Sequence, residues 1–333
     1  MKWDRIKNFI QKQRFWLVIV LIAASVLILP YVDTNVNGFF EKDSFVLNWK
    51  NLTSSQLLRI SIVLAGVFLG IITGIILLAT YIGGFLIKKD VPLKFPALNL
   101  DIKWKVFDSF KIMSISIIGT AVLTALLSKS SILKSTNTEW FKIGQSSILA
   151  CVLLVLVIYY VVFIYREHYK TLGFIKQGLA KKIVFTVLAY IAALPLFIAA
   201  AIVGAIITTL LGFYVEPHPI SIFLVKEKNF FVIIYIWIIA GIIAPVSEEL
   251  FFRGFLYPAL KVRNGKVLGI LLSACFFSIL HLNISSILPI FVLGILFAWL
   301  YENTGSIFPS IFAHSLHNTV TLSGMLLIKD MVI

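Results

Sequence analysis

Glu248 and Glu249 stand side by side in APVSEELFFRGFLYP (244–258), within a run otherwise apolar enough to cross a bilayer. They are the only acidic residues that the hydrophobic pattern places inside a span. An ionisable group at that depth costs about 3 kcal/mol or more and marks function by default. Glu248 lies 13 residues before Lys261, roughly 20 Å along a helix, too deep for its side chain to reach the interface unaided. Glu249 and Arg253 are four residues apart with the glutamate on the N-terminal side, so they share a helical face and pair. That pairing leaves Glu248 uncommitted and suited to taking a proton from water. Pro245 lacks an N–H and crowds the preceding turn, so a kink or helix start is expected here, with room for water beside it.

Two further polar signals follow. In FSILHLN, Phe277 and His281 are four apart on one helical face. His281 is 15 residues beyond Lys266, or roughly 22 Å from the same edge as Glu248, so a hairpin with a basic turn brings the two to similar depth. In AHSLHN, His314 and Asn318 share a face and both carry side-chain N–H donors, the means of stabilising a developing oxyanion. His317 lies about one turn from His314 on a neighbouring azimuth and reads as an interhelical polar clamp.

The elements that must position these groups are membrane helices. The chain has 333 residues, 60% of them hydrophobic and 13% charged, against about 45–50% apolar in soluble domains. Runs such as 15–32 and 147–165 are long enough to span a hydrocarbon core of about 30 Å. The fold class is therefore an all-α polytopic membrane protein. Spans are expected at about 15–32, 57–87, 110–128, 146–165, 183–213, 230–260, 267–282, 289–301 and 307–327, eight or nine in all, with the catalytic bundle in the C-terminal part. The run 183–213 carries Pro195 and is expected to be kinked or tilted, and 289–301 is short enough to be re-entrant.

The net charge of +14 at first suggests nucleic acid. Its placement argues otherwise: basic clusters precede the first span and recur at 88–105, 166–182 and 261–266, in alternate loops. This is the positive-inside pattern with a cytoplasmic N-terminus, an integral plasma-membrane protein drawn to anionic lipid, and no nucleic-acid partner. Cys151 and Cys275 both fall in apolar spans and imply no disulfide framework. Asn51-Leu52-Thr53 is a sequon on an expected outer loop. Gly66, Gly70 and Gly74 at four-residue spacing form a close-packing face, for a helix of this chain or of a membrane partner.

Taken in order, EELFFR fits Glu-Glu-x-x-x-Arg, FSILH fits Phe-x-x-x-His and HSLHN fits His-x-x-x-Asn. Three such motifs, each in an apolar helix, resemble the CPBP family of CAAX-protease and bacteriocin-processing intramembrane proteases, also called the Abi family. The resemblance covers roughly 183–327 and is sharpest from 245 to 318. It divides the chain into accessory N-terminal helices (1–180) and a protease domain (181–333). It implies an endopeptidase acting on a membrane-associated peptide or protein. Glu248 and His281 would activate water, and His314 with Asn318 would serve the oxyanion or act as ligands. Glu249, Arg253 and Phe277 would give structural support. Two mechanisms fit the same residues. In one, Glu248 is a general base without metal, the form favoured here. In the other, Glu248, His281 and His314 hold a divalent ion such as zinc; the family is by convention called metalloprotease, although no His-Glu-x-x-His helix is present. The alternative reading is a non-catalytic scaffold or bacteriocin-immunity factor acting through helix–helix contacts. An ion or proton transporter ranks last, because the polar groups crowd into one third of the chain instead of paired halves.

Overall fold

The computed structural model describes residues 52–86, 95, 101–128, 138–213 and 219–331. The expected first span, the basic residues before it and the sequon asparagine lie outside these. Among the described residues the chain is all helix, and seven helices are long and apolar enough to cross a membrane. They are α1 (Ser54–Leu86), α2 (Val106–Ser128), α3 (Thr138–Tyr159), α4 (Leu179–Leu210), α6 (Phe230–Asn264), α8 (Ile287–Thr304) and α9 (Ile307–Ile328). The short α5 (Pro219–Lys226) precedes α6, and the 14-residue α7 (Lys266–Ile279) follows it. The chain is a polytopic all-α membrane protein.

Their apolar sequences leave the backbone and scattered hydroxyls to satisfy, and many of the hydroxyls turn back on their own helix. Ser114, Ser116, Thr124, Thr186 and Thr208 each donate to the carbonyl four residues back, at 2.7–2.8 Å.

Two length expectations are reversed. The segment expected at 289–301 is a full 18-residue helix, α8, while the hairpin's other arm, α7, is the short one. Pro289 occupies the first turn of α8, where its missing N–H costs nothing. At the other end, Glu302 reads as loop but stays helical because Tyr257 and Lys261 hold its carboxylate, at 2.8 Å each to Oε2. Glu302 is thus, like Glu249, a buried carboxylate, but one that the hydrophobic pattern assigns to a loop.

Pro195 does not interrupt α4, which runs unbroken past it. Proline removes the N–H that would bond the Ile191 carbonyl, and α1 packs there through Gly74. A methyl on Gly74 would run into Ile191 O and lie 2.7 Å from Pro195 Cδ. Gly70 meets Leu194 at 3.2 Å by the same measure, whereas Gly66 meets nothing within 4 Å. Two of the three glycines that could have served a membrane partner therefore close on this chain's own α4.

One core joins the two sides of residue 180. Trp104, ahead of α2, stacks on Phe255 of α6 at 4.7 Å and donates its indole N–H to the Phe255 carbonyl at 2.8 Å. Leu172, in the loop before α4, is fully buried against Gly254. Gly173 in that loop has φ 91°, and a side chain there would strike the Tyr301 ring, so both conformation and space require glycine. Its carbonyl accepts the Ile307 N–H at 2.8 Å, docking the loop on the start of α9.

Candidate active site

The two glutamates sit in a short α-helical stretch of α6, Ala244–Glu249, between π-helical turns at Ile239–Ile243 and Leu250–Leu256. A π-turn inserts a residue and frees a carbonyl, and such turns concentrate at functional sites. The first one explains Asn318. The Ala244 N–H bonds Ile239 O, five residues back. In the same register Ala240 O would await the N–H of residue 245, which is proline and has none. Asn318 of α9 supplies the missing donor: its Nδ2 lies 2.7 Å from Ala240 O.

Glu249 is fully buried. Its Oε1 accepts from Arg253 Nη1 at 2.9 Å and from His314 Nδ1 at 2.9 Å. The expected Glu249–Arg253 pair is present, and its second partner, His314, lay beyond sequence reasoning. Arg253, also fully buried, donates to Gly294 O at 3.1 Å and lies under the rings of Phe277 (4.4 Å) and Phe297 (5.3 Å). His314 stacks on Phe297 with centroids 4.9 Å apart. A carboxylate only accepts, so Nδ1 of His314 carries the proton and Nε2 presents its lone pair. That Nε2 is 3.8 Å from Glu248 Oε2. Glu248 is 28% exposed, and its Oε2 has no hydrogen-bond partner.

His281 follows the last turn of α7, with Nδ1 2.7 Å from Phe277 O. A carbonyl also only accepts, so His281 too is fixed with Nε2 as its acceptor. Phe277 touches both histidines, 4.8 Å from His281 and 5.6 Å from His314 between centroids. His317 is apart from this set: its Nδ1 lies 3.1 Å from Tyr190 OH, and its ring meets Phe197 edge-on at 4.9 Å, an interhelical clamp to α4.

The structure thus gathers Arg253, Glu249, His314 and Glu248 into one continuous chain of contacts, with His281 beyond Phe277. A histidine that ligates a metal usually donates its other N–H to a carboxylate or carbonyl, as both do here. Even so, among the described residues no three of His, Cys, Asp and Glu are close enough together to hold one ion. Glu248, His281 and His314, the possible ligands of the metal mechanism, are not in that proximity as placed. Phe297, which fixes both His314 and Arg253, and the Ala240 carbonyl belong to the site without any signal in the motifs.

Asn318→Ala is expected to cost about 1–3 kcal/mol, because Ala240 O then loses its donor inside the membrane. Asn318→Asp is expected to cost more, since two acceptors would face each other. Thermal unfolding of purified protein in detergent, with wild type alongside, measures both.

Residues 230–320 match the family model described as "Type II CAAX prenyl endopeptidase Rce1-like". The chain is 34% identical over 82 residues to a Bacillus subtilis protein named "Putative membrane peptidase YdiL", covering 25% of this chain and 34% of that protein. It is 35% identical over 78 residues to "UPF0177 protein YxdF" of Lactococcus lactis, covering 23% and 42% respectively. The matched region thus spans less than half the length of either relative. No solved structure matches. All three motifs fall inside the matched segment, residues 230–320.

Proposed function

We propose that the protein is an intramembrane endopeptidase that hydrolyses a peptide bond in a membrane-associated peptide or protein tail. The observation that carries this is the held histidine: Glu249 fixes His314 so that Nε2 faces Glu248, whose Oε2 has no other partner. Glu248 takes a proton from water as the water oxygen attacks the scissile carbonyl carbon. The carbonyl electron pair moves onto oxygen, forming the tetrahedral intermediate. Glu248 then returns the proton to the amide nitrogen as the C–N bond breaks, leaving a carboxylic acid and an amine, between which the remaining proton passes to give carboxylate and ammonium, with Glu248 as it began. His281 orients the water through Nε2. Asn318 spends one N–H on Ala240 O and keeps a second for the oxyanion. As held, His314 accepts at Nε2, and it serves the oxyanion only when doubly protonated, with a proton other than the one Glu248 carries from water to the amide nitrogen.

The experiment that tests this compares protein N-termini in membranes of cells carrying wild type or Glu248→Gln at matched abundance. Termini present only with wild type support the peptidase and name its substrates. Identical termini with an unchanged phenotype in the mutant would shift the reading to a scaffold.

Since the three polar groups are not gathered around one ion site, hydrolysis by the purified protein is expected to survive extensive chelation within about twofold. A loss larger than about tenfold, restored by added zinc, would overturn the metal-free mechanism; tenfold corresponds to about 1.4 kcal/mol of barrier.

A further inference from the structure

We infer that the N-terminal turn of α4 binds a phosphate group, held by the Lys182 ammonium and by the free backbone N–H groups of Ala180 and Lys181. The site is independent of the peptidase reading, and it begins from an unpaired charge. Among the described residues four Lys, Arg, Asp or Glu side chains are buried: Lys182, Glu249, Arg253 and Glu302. Three of them are paired, Glu249 with Arg253 at 2.9 Å and Glu302 with Lys261 at 2.8 Å. Lys182 is only 4% exposed, yet its side chain makes no hydrogen bond and no ion pair among the described residues. A charge so far removed from water is costly unless an opposite charge meets it.

Lys182 is the fourth residue of α4, and long side chains on a helix lean back over the turn that precedes them. That turn has donors to offer. Gly178 caps it at φ 67° and has no side chain to accept from the helix. The Leu179 N–H bonds Lys176 O at 3.0 Å and the Lys182 N–H bonds Gly178 O at 3.1 Å, which leaves the N–H groups of Ala180 and Lys181 without an acceptor. There is room as well: a methyl on Gly178 would meet nothing within 4 Å, and Lys176, Ala180 and Lys181 are all exposed. Open amides at a helix start carry partial positive charge and draw an anion.

The neighbouring sequence does not supply that anion. Segment 166–182 has five basic residues and one acid, Glu167, which Lys103 engages at 2.7 Å. Two amides, one ammonium and the exposed lysines beside them suit a ligand with several acceptor oxygens and a full negative charge, which a phosphate group has. A lipid headgroup and a free phosphate share that chemistry. The loop that ends at Gly178 also docks on the start of α9: Gly173 O accepts the Ile307 N–H, and Ile175 O accepts from Ser306 Oγ, both at 2.8 Å. A phosphate bound at the α4 turn therefore braces the segment against the helix that carries His314 and Asn318.

The test is saturable binding to the purified full-length protein in uncharged detergent, read as a rise in unfolding temperature at constant ionic strength. Two probes are titrated: inorganic phosphate against chloride, and dioleoyl phosphatidylglycerol against dioleoylglycerol, which lacks the phosphate. Stabilisation by phosphatidylglycerol alone assigns the site to a lipid headgroup, and stabilisation by inorganic phosphate assigns it to a free phosphate. Lys182→Met is expected to weaken the effective probe's binding by about tenfold, the loss of one charged contact. Ala180→Asp places a carboxylate on the exposed side of the turn, where it takes the free N–H groups itself and should abolish the response. It keeps the result readable should Lys182→Met fail to fold. Arg263→Gln, exposed on another turn, should leave the response unchanged. A response to neither probe, or an undiminished response in the Lys182 and Ala180 variants, overturns the inference. So does an equal loss in Arg263→Gln, which would show that net positive charge alone draws the anion.

Discussion

Glu248→Gln is expected to lower peptide hydrolysis by about 10²–10⁴-fold, the range for loss of a positioned general base. The amide keeps the side chain's volume and one oxygen but cannot take the proton from water. Stability should move in the opposite direction or not at all. Glu248 makes no hydrogen bond through Oε2 and approaches His314 no closer than 3.8 Å, so the substitution breaks no native hydrogen bond and removes an unpaired carboxylate from the membrane. Hydrolysis of a peptide by protein reconstituted in nanodiscs, together with its unfolding temperature, reads both quantities. Full activity in the mutant would mean that water is activated elsewhere. Loss of activity with loss of the folded protein would mean that Glu248 is structural. His281→Ala should resemble Glu248→Gln in activity, because the imidazole's only hydrogen bond goes to the carbonyl of its own helix.

How much of this was legible from sequence follows from what helical spacing can report. Spacing within one helix is faithful: Glu249 and Arg253 at i,i+4 do pair, although a π-turn begins between them. Counting from the basic turn put Glu248 and His281 at similar levels; in the fold Phe277 touches His281 and His314, and His314 faces Glu248. Rotation between helices is not legible. Nothing in HSLHN says that His314 turns Nδ1 to Glu249, because that depends on how α9 rolls against α6 and on Phe297 of α8 stacking behind the ring. Asn318 shows the same limit from another side. Its partner is a backbone carbonyl freed by the combination of a π-turn and Pro245, and only the proline is visible beforehand. Boundaries failed where polarity was mistaken for exposure. Glu302 reads as loop, yet Tyr257 and Lys261 satisfy it inside a helix, and those partners lie more than forty residues away in sequence.

Arg253→Met is expected to destabilise the folded protein by about 3–5 kcal/mol, the cost of leaving one member of a buried ion pair without its counterpart. The arginine has no exposed atom to spare: Nη1 serves Glu249, Nη2 serves Gly294 O, and its plane lies against Phe277 and Phe297. Without it Glu249 keeps a single donor, His314, for a carboxylate whose Oε2 is already bare. The mutant should accumulate poorly and unfold at a much lower temperature in detergent. The double substitution Glu249→Leu with Arg253→Met separates two roles that the single mutant confounds. Replacing both charges with apolar groups of similar size removes the unpaired carboxylate, so much of the stability should return. Activity should not return, because His314 then has no acceptor for Nδ1–H and nothing to hold Nε2 toward Glu248. A double mutant that is both stable and active would show that the Glu249–Arg253 pair is scaffolding alone, and that the held histidine is not what makes the site.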